Sequence, residues 1–373
     1  MKPFYLLPFL LLLLSCENER EAQIKRDIVG EWKYIEDFDS IPYTDSLLPP
    51  PPPLDVMYDF SVLDDTTYLD KSGYWKKNEN EPGGLIYYSG RKTKYKIKDS
   101  MLMVFNPVEK NWYFEKIYSL NGDTLIYKLE AKKYRRFTRQ HYKINPNEKY
   151  DAIIVSASPC FGSCPIADVR IDRNGTVTYQ GSYNNLKNGN FTATISAKDY
   201  LALEREFKKA GIDSLETYYA ATHTDDQTIT VTFIKDGKIY RTISDYGFQS
   251  PSELRSACNQ ARFLYQQLEL KEAALPYPDL RQGYVGFDKS NKSCVLEMSE
   301  QFFLVTELEK AKPVRHVFNG KFIFQFGKYG HKKFIVTDGR YYKLPPEDGG
   351  ETLDLGYNFI ERNGLEKRFE KHE

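Results

Sequence analysis

The chain has 373 residues and equal numbers of basic and acidic side chains, 52 lysines plus arginines against 52 aspartates plus glutamates, so its charge leaves no electrostatic footprint for nucleic acid. Its 29 tyrosines and 23 phenylalanines sit among threonine, valine and isoleucine in short runs, which favours sheets over helices. The length suffices for two or three domains of about 100 to 200 residues each.

At the N-terminus Lys2 precedes an apolar stretch from Phe4 to Leu14, followed by Ser15, Cys16 and the polar run Glu17, Asn18, Glu19. A membrane-crossing helix needs about 20 apolar residues, so the shorter stretch reads as a signal peptide spanning residues 1–15. Leu13, Leu14, Ser15 and Cys16 resemble the lipobox of bacterial lipoproteins. That resemblance implies cleavage before Cys16, a diacylglycerol on its thiol, palmitate-type acyl chains and the membrane as a partner. Residues 16–26 then read as a tether. Glu17 and Glu19 resemble the acids that direct some lipoproteins to the outer membrane, on its periplasmic or surface face. The competing reading is an ordinary secreted protein, but no small-x-small cleavage site follows the apolar run.

The first globular region is expected at 27–142. Ile28 to Ile35 reads as a strand carrying Gly30 and Trp32, and a polar excursion ends in Pro49 to Pro53, a stiff extended loop. Strand-like runs then recur at Val56–Val62, Thr67–Tyr74, Gly84–Ser89, Lys94–Ile97, Met101–Phe105, Trp112–Leu120, Thr124–Leu129 and Tyr134–Thr138, a spacing that predicts an antiparallel barrel or sandwich. Gly30 and Trp32 at the start, with arginines near the end, resemble the lipocalin pattern, in which a Gly-x-Trp closes the barrel floor under a last-strand arginine. The resemblance implies a lipocalin-like barrel and assigns the arginine to Arg135 or Arg136. Trp32 itself reads as a core aromatic, and a small barrel either holds one apolar molecule or is filled by side chains. The proline loop stands where a lipocalin carries its lid, or is a surface insertion.

Asn145, Pro146 and Asn147 mark a linker before the second region, 150–270. Ala152–Ala157 reads as a strand that enters Pro159-Cys160-Phe161-Gly162-Ser163-Cys164-Pro165. A hairpin turns at Asn174-Gly175, a helix runs from a Ser196 cap to Gly211, a second hairpin turns at Asp236-Gly237, and a last helix starts with Ser250 as cap and Pro251 in its first turn. Two hairpins with two amphipathic helices predict a two-layer α+β domain. The cysteine run, with the triplet Asp245-Tyr246-Gly247, resembles a domain family bearing a Pro-Cys-Phe-Gly-x-Cys-Pro signature and no assigned activity. Physically, Gly162 lets the loop close tightly enough for a Cys160–Cys164 disulfide, which an exported chain can form and keep. The competing reading is a thiol-redox or copper site, because Cys-x-x-x-Cys-Pro resembles the loop of thioredoxin-like copper chaperones. Cys258 falls on the apolar face of the last helix with Leu254, Ala261 and Tyr265, and reads as a buried core residue.

After Pro276 and Pro278 a small β-rich region is expected at 275–373, with strands at Tyr284–Phe287, Ser293–Met298, Phe302–Leu308, Lys321–Phe326, Lys333–Thr337 and Tyr341–Leu344. Cys294 pairs with Cys258 or stays buried.

Gly-x-Ser-x-Gly, His-Glu-x-x-His, a phosphate-binding glycine loop and Cys-x-x-Cys-His are all missing from the sequence, and His141, His223, His316, His331 and His372 are scattered singly. The expectation is a mainly β envelope lipoprotein without catalytic residues, metal or cofactor, binding a small apolar ligand or an envelope protein. The second expectation is a periplasmic thiol or copper protein acting through Cys160 and Cys164.

Overall fold

The computed structural model describes residues 19–39, 57–78, 84–130, 132–277, 284–326 and 333–371. The leader, Cys16 and Pro49–Pro53 lie outside the described residues. The chain divides into two compact units, Met1–Lys77 with Tyr87–Lys143, and Asn78–Ile86 with Ile144–Glu373. Among the described residues no helix is long and apolar enough to cross a membrane.

The first unit opens with helix α1, residues 19–28, where the sequence suggested a tether. Its reason is tertiary: Ile24 and Ile28 fall one turn apart and are buried in the barrel core. The strands up to residue 140 are β1 (Gly30–Asp39), β2 (Phe60–Val62), β3 (Thr67–Asp70), β4 (Trp75–Asn78), β5 (Leu85–Tyr88), β6 (Lys92–Lys98), β7 (Met101–Asn106), β8 (Asn111–Asn121), β9 (Thr124–Lys128) and β10 (Lys133–Gln140). Eight of them close an antiparallel barrel in the order β1-β10-β9-β8-β7-β6-β3-β2, and β4 pairs with β5 alone. Side chains alternate along each strand, so Tyr95 and Ile97, Leu102 and Val104, Leu125 and Tyr127 point inward while Lys94, Lys96 and Phe114 point out.

The second unit begins with a sheet of β11 (Ala152–Ala157), β12 (Ile166–Asp172), β13 (Thr176–Tyr183), β14 (Gly189–Thr194), β15 (Tyr218–Ala220), β16 (Thr228–Lys235), β17 (Lys238–Tyr246) and β18 (Lys271–Glu272), ordered β15-β17-β16-β11-β12-β13-β14-β18. Both predicted hairpins form, with Ile171 opposite Val177 and Val231 opposite Ile243. One sheet face carries α2 (Ala197–Lys209) and α3 (Ser252–Arg262): Phe207 of α2 meets Phe233 of β16 edge-to-face at 5.4 Å. Ser196 caps α2 as expected, accepting from the Asp199 amide at 3.1 Å. Ser250 does not cap α3; Pro251 is the N-cap, and the Ser250 hydroxyl donates to the Asp245 carboxylate instead.

The other sheet face is covered by α4 (Met298–Leu308), which the sequence reading placed in strands. Phe302 to Val305 is apolar on every side, and a short continuous apolar run has no period that separates a strand from a fully buried helix. It is buried all round because α4 lies between two sheets. The second sheet comprises β19 (Tyr284–Lys289), β20 (Lys292–Val295), β21 (Lys312–Val314), β22 (Phe322–Phe326), β23 (Lys333–Thr337), β24 (Tyr341–Lys343), β25 (Thr352–Asp354) and β26 (Glu370–Lys371). Ala152, Ile154 and Ile234 of the first sheet share one core with Phe303, Leu304, Phe324 and Leu353. The break read at Pro276 is therefore a connection inside one unit, not a boundary between two. Arg170 of β12 is the polar fastener: its Nη1 donates to Thr306 Oγ1 and Glu307 Oε1 of α4, both at 2.7 Å, and its Nε to Asp172 at 2.9 Å.

Candidate functional site

The barrel has a sealed end. Gly30 and Trp32 open β1, Trp32 is fully buried, and its indole N–H donates to the Ile28 carbonyl at 2.8 Å, where α1 ends. The arginine over the indole is Arg139, with its guanidinium 4.3 Å from the ring centroid; the sequence reading of Arg135 or Arg136 is corrected. Register decides this, because Arg139 is the β10 residue directly opposite Trp32, whereas Arg135 and Arg136 face Asp37 and Glu36. Arg139 also donates to the Val29 and Asp27 carbonyls, locking the α1–β1 junction. Gly30 sits at φ +144°, and a Cβ there would collide with the Arg139 guanidinium, so backbone angle and close approach both require glycine. The Asp99 amide donates to Glu21 Oε1 at 2.8 Å, tying α1 to the turn between β6 and β7.

Towards the other end, the inward residues of β10 are Phe137 and then Arg135. Phe137 joins Phe60, Tyr68 and Tyr127 in an aromatic plug, with centroids 5.1 Å apart for Phe60–Tyr68 and Tyr127–Phe137 and 5.3 Å for Phe60–Phe137. Arg135 grips Asp37 with two bonds, 2.7 and 2.8 Å, and lies 3.6 Å over the Tyr58 ring, which packs on Tyr34 at 5.1 Å. Beside this pair, burial pushes the Glu115 carboxyl up from its usual range and the Arg135 charge draws it part of the way back. Among the described residues no hydrogen-bond donor reaches Glu115, and the buried Tyr127 hydroxyl has no partner. Sequence reasoning missed Glu115, Tyr127 and Asp37; period-two alternation does place the first two on inward positions, but a carboxylate at an inward position gave no local signal of its own.

At one end of the second unit, β11 delivers the loop with Cys160 and Cys164, which are bonded, their Cα atoms 5.8 Å apart. Gly162 takes φ +156°, and Phe161 at the tip is 87 % exposed. Gln227, also unforeseen, holds the loop at both ends: its Nε2 donates to the Ser158 and Pro165 carbonyls at 2.6 and 2.9 Å, and its Oε1 accepts from Arg262 of α3 at 2.7 Å. The Gly247 amide donates to the Gln227 carbonyl at 3.1 Å, so the cysteine run and the Asp245-Tyr246-Gly247 triplet meet at one residue. Tyr246 accepts from the Asp226 amide at 3.1 Å, and the Asp226 carboxylate lies 2.9 Å from His223 Nε2. Residues 151–265 match the family model described as Domain of unknown function (DUF6438). No curated protein and no solved structure matches the chain. The DUF6438 region thus takes in the first sheet from β11 to β17 with α2 and α3, holds both motifs, and stops before α4. Cys258 of its α3 and Cys294 of β20 are free and buried; burial pushes the Cys258 thiol far up and the Cys294 thiol to about 11, which leaves little thiolate at either.

Proposed function

We propose that the chain is a lipid-anchored protein of the bacterial cell envelope, processed before Cys16, whose barrel binds a small amphipathic ligand at the end opposite Trp32. The carrying observation is the buried Tyr127 hydroxyl, which has no hydrogen-bond partner, beside the half-buried Glu115 carboxylate and the Arg135–Asp37 pair. A buried hydroxyl without a partner costs about 1–3 kcal/mol, which a ligand group meeting Tyr127 would recover. A ligand with an N–H or hydroxyl donor would satisfy Glu115 while its apolar part rests on Tyr34, Tyr58 and the plug beneath. The bonded Cys160–Cys164 pair supports export, since disulfides persist in oxidising compartments.

The test is capture from an envelope lipid extract, with retained small molecules identified by mass spectrometry for the wild type, Glu115→Gln and Tyr127→Phe. A molecule held by the wild type and lost from both variants is the expected outcome. An empty wild-type barrel, or equal retention by all three, would refute ligand binding here.

The exposure of Phe161 on the disulfide loop favours a second reading, thiol exchange or copper handling at Cys160 and Cys164. A reduction midpoint in the range of about −180 to −230 mV would support it, and one below about −300 mV marks a structural bond.

A further inference from the structure

The outer wall of the barrel is unlike a solvated sheet face. Along β6 the outward residues are Lys92, Lys94, Lys96 and Lys98, all exposed. The neighbouring outward positions of β7 and β8 present Phe105 opposite Trp112 and Met103 opposite Phe114, then Lys116 and Tyr118. Phe114 is 54 % exposed and Tyr118 58 % exposed. The cations lie on the rings: Lys94 Nζ is 4.5 Å from the Phe105 centroid, and Lys96 Nζ is 4.9 Å from Trp112. Across β9 the pattern continues through Lys128 to Tyr134 and Phe38, which stack at 5.5 Å with Arg136 4.7 Å over Phe38. Among the described residues no Asp or Glu stands at an outward position of β6–β10, and Glu36 of β1 is neutralised by Arg136 at 2.9 Å.

We infer that this wall docks on the surface of a bilayer containing anionic phospholipid. Three physical reasons converge. Lysines spaced two apart along one strand form a positive row that a negative lipid surface attracts. The half-buried Trp112 and exposed Tyr118 rings suit the headgroup level, where one end of the ring is apolar and the other wet. Phe105, Phe114 and Met103 carry no hydrogen-bonding group, so they gain little from a hydrated polysaccharide and more from the acyl boundary, while lysine stems lie along apolar surface with their charges at the headgroups. The inference goes beyond the ligand reading, because it rests on outward residues and that reading rests on inward ones.

Trp112 supplies the measurement. Full-length chain is reconstituted in vesicles of phosphatidylglycerol and phosphatidylcholine brominated on the acyl chains, and in brominated phosphatidylcholine alone. Quenching of Trp112 emission is read as the difference between the wild type and Trp112→Phe, which subtracts the emission of Trp32 and Trp75. The expected result is quenching several-fold stronger in the anionic vesicles, reduced by high salt, and reduced to the phosphatidylcholine level by Lys94→Glu, Lys96→Glu and Lys116→Glu together. Equal quenching in both vesicle types, or none, would overturn the inference, and this comparison needs only the wild type should the triple variant fail to fold. Binding to a soluble anionic polysaccharide without quenching by either vesicle would overturn it too, reassigning the wall to a carbohydrate partner.

Discussion

Single residues decide which arginine closes the barrel. Arg139 touches Trp32 and three backbone carbonyls, whereas Arg136 pairs with Glu36 at side-chain exposures of 42 % and 47 %. Arg139→Ala is therefore expected to destabilise the barrel by about 2 kcal/mol and Arg136→Ala by under about 1, measured as the barrel's transition in urea. Equal effects would show that the Trp32 contact contributes nothing. Glu115 gives a pH dependence of defined sign. A carboxyl whose pKa is raised by folding favours the native state at low pH and loses that contribution as pH rises through the folded value. Glu115→Gln should thus raise the barrel's melting temperature at neutral pH, by an amount equivalent to about 1 kcal/mol, with no difference from wild type below about pH 4. At the cysteines, a thiol reagent should find no reactive group in the native oxidised chain and two after mild reduction. Labelling of Cys258 or Cys294 without unfolding would contradict their burial.

Among elements, α4 shows where local reading ends. Strands with alternating burial, such as β6 and β9, and hairpins with Asn174-Gly175 or Asp236-Gly237 at the turn were legible because their period and turn chemistry are local. Phe302–Leu308 carries no such period, and the one available signal was the reciprocal cap of Glu297 and Glu300 ahead of it. Helix α1 was hidden for a different reason: among its described residues only Ile24 and Ile28 are buried in the barrel core, a stripe too narrow to read. The cysteine loop was legible as a disulfide because four residues of separation fix the geometry, but its anchor Gln227 lies on another strand boundary, which no spacing rule reaches. Energetically, α4 depends on Arg170. Burial alone would raise the Glu307 carboxyl, yet Arg170 outweighs it and holds Glu307 below the ordinary range. A depressed carboxylate stabilises above its unfolded pKa and ceases to do so as pH falls through the folded one, so this fastening should fail only below about pH 4.3. Arg170→Ala leaves Glu307 and Asp172 without their buried cation and is expected to cost the second unit about 3 kcal/mol at neutral pH, read by calorimetry.

On the scale of the whole molecule, the family match covers residues 151–265 while the core it needs extends to Leu365. A fragment of 144–272 would expose Ala152, Ile154 and Ile234 with the charge of Arg170 beside them, so it is expected to aggregate, and 144–373 is expected to remain monodisperse in size-exclusion chromatography. A soluble, cooperatively folded short fragment would show that α4 is dispensable cover. Sheet order and the sharing of a core between regions could not be read from the chain, since both depend on pairings between distant strands, as when β11 is joined on one side to β12 and on the other to β16.

Helix α1 has a consequence for reach. Its described part runs from residue 19 to residue 28, and its last turn is bolted to the barrel floor through Ile28 and Asp27. Under the proposal that Cys16 is lipidated, Glu19 stands three residues from the anchor, a separation that spans at most on the order of 10 Å. On that proposal the barrel would stay near the headgroups, and a ligand would have to reach it at the membrane surface.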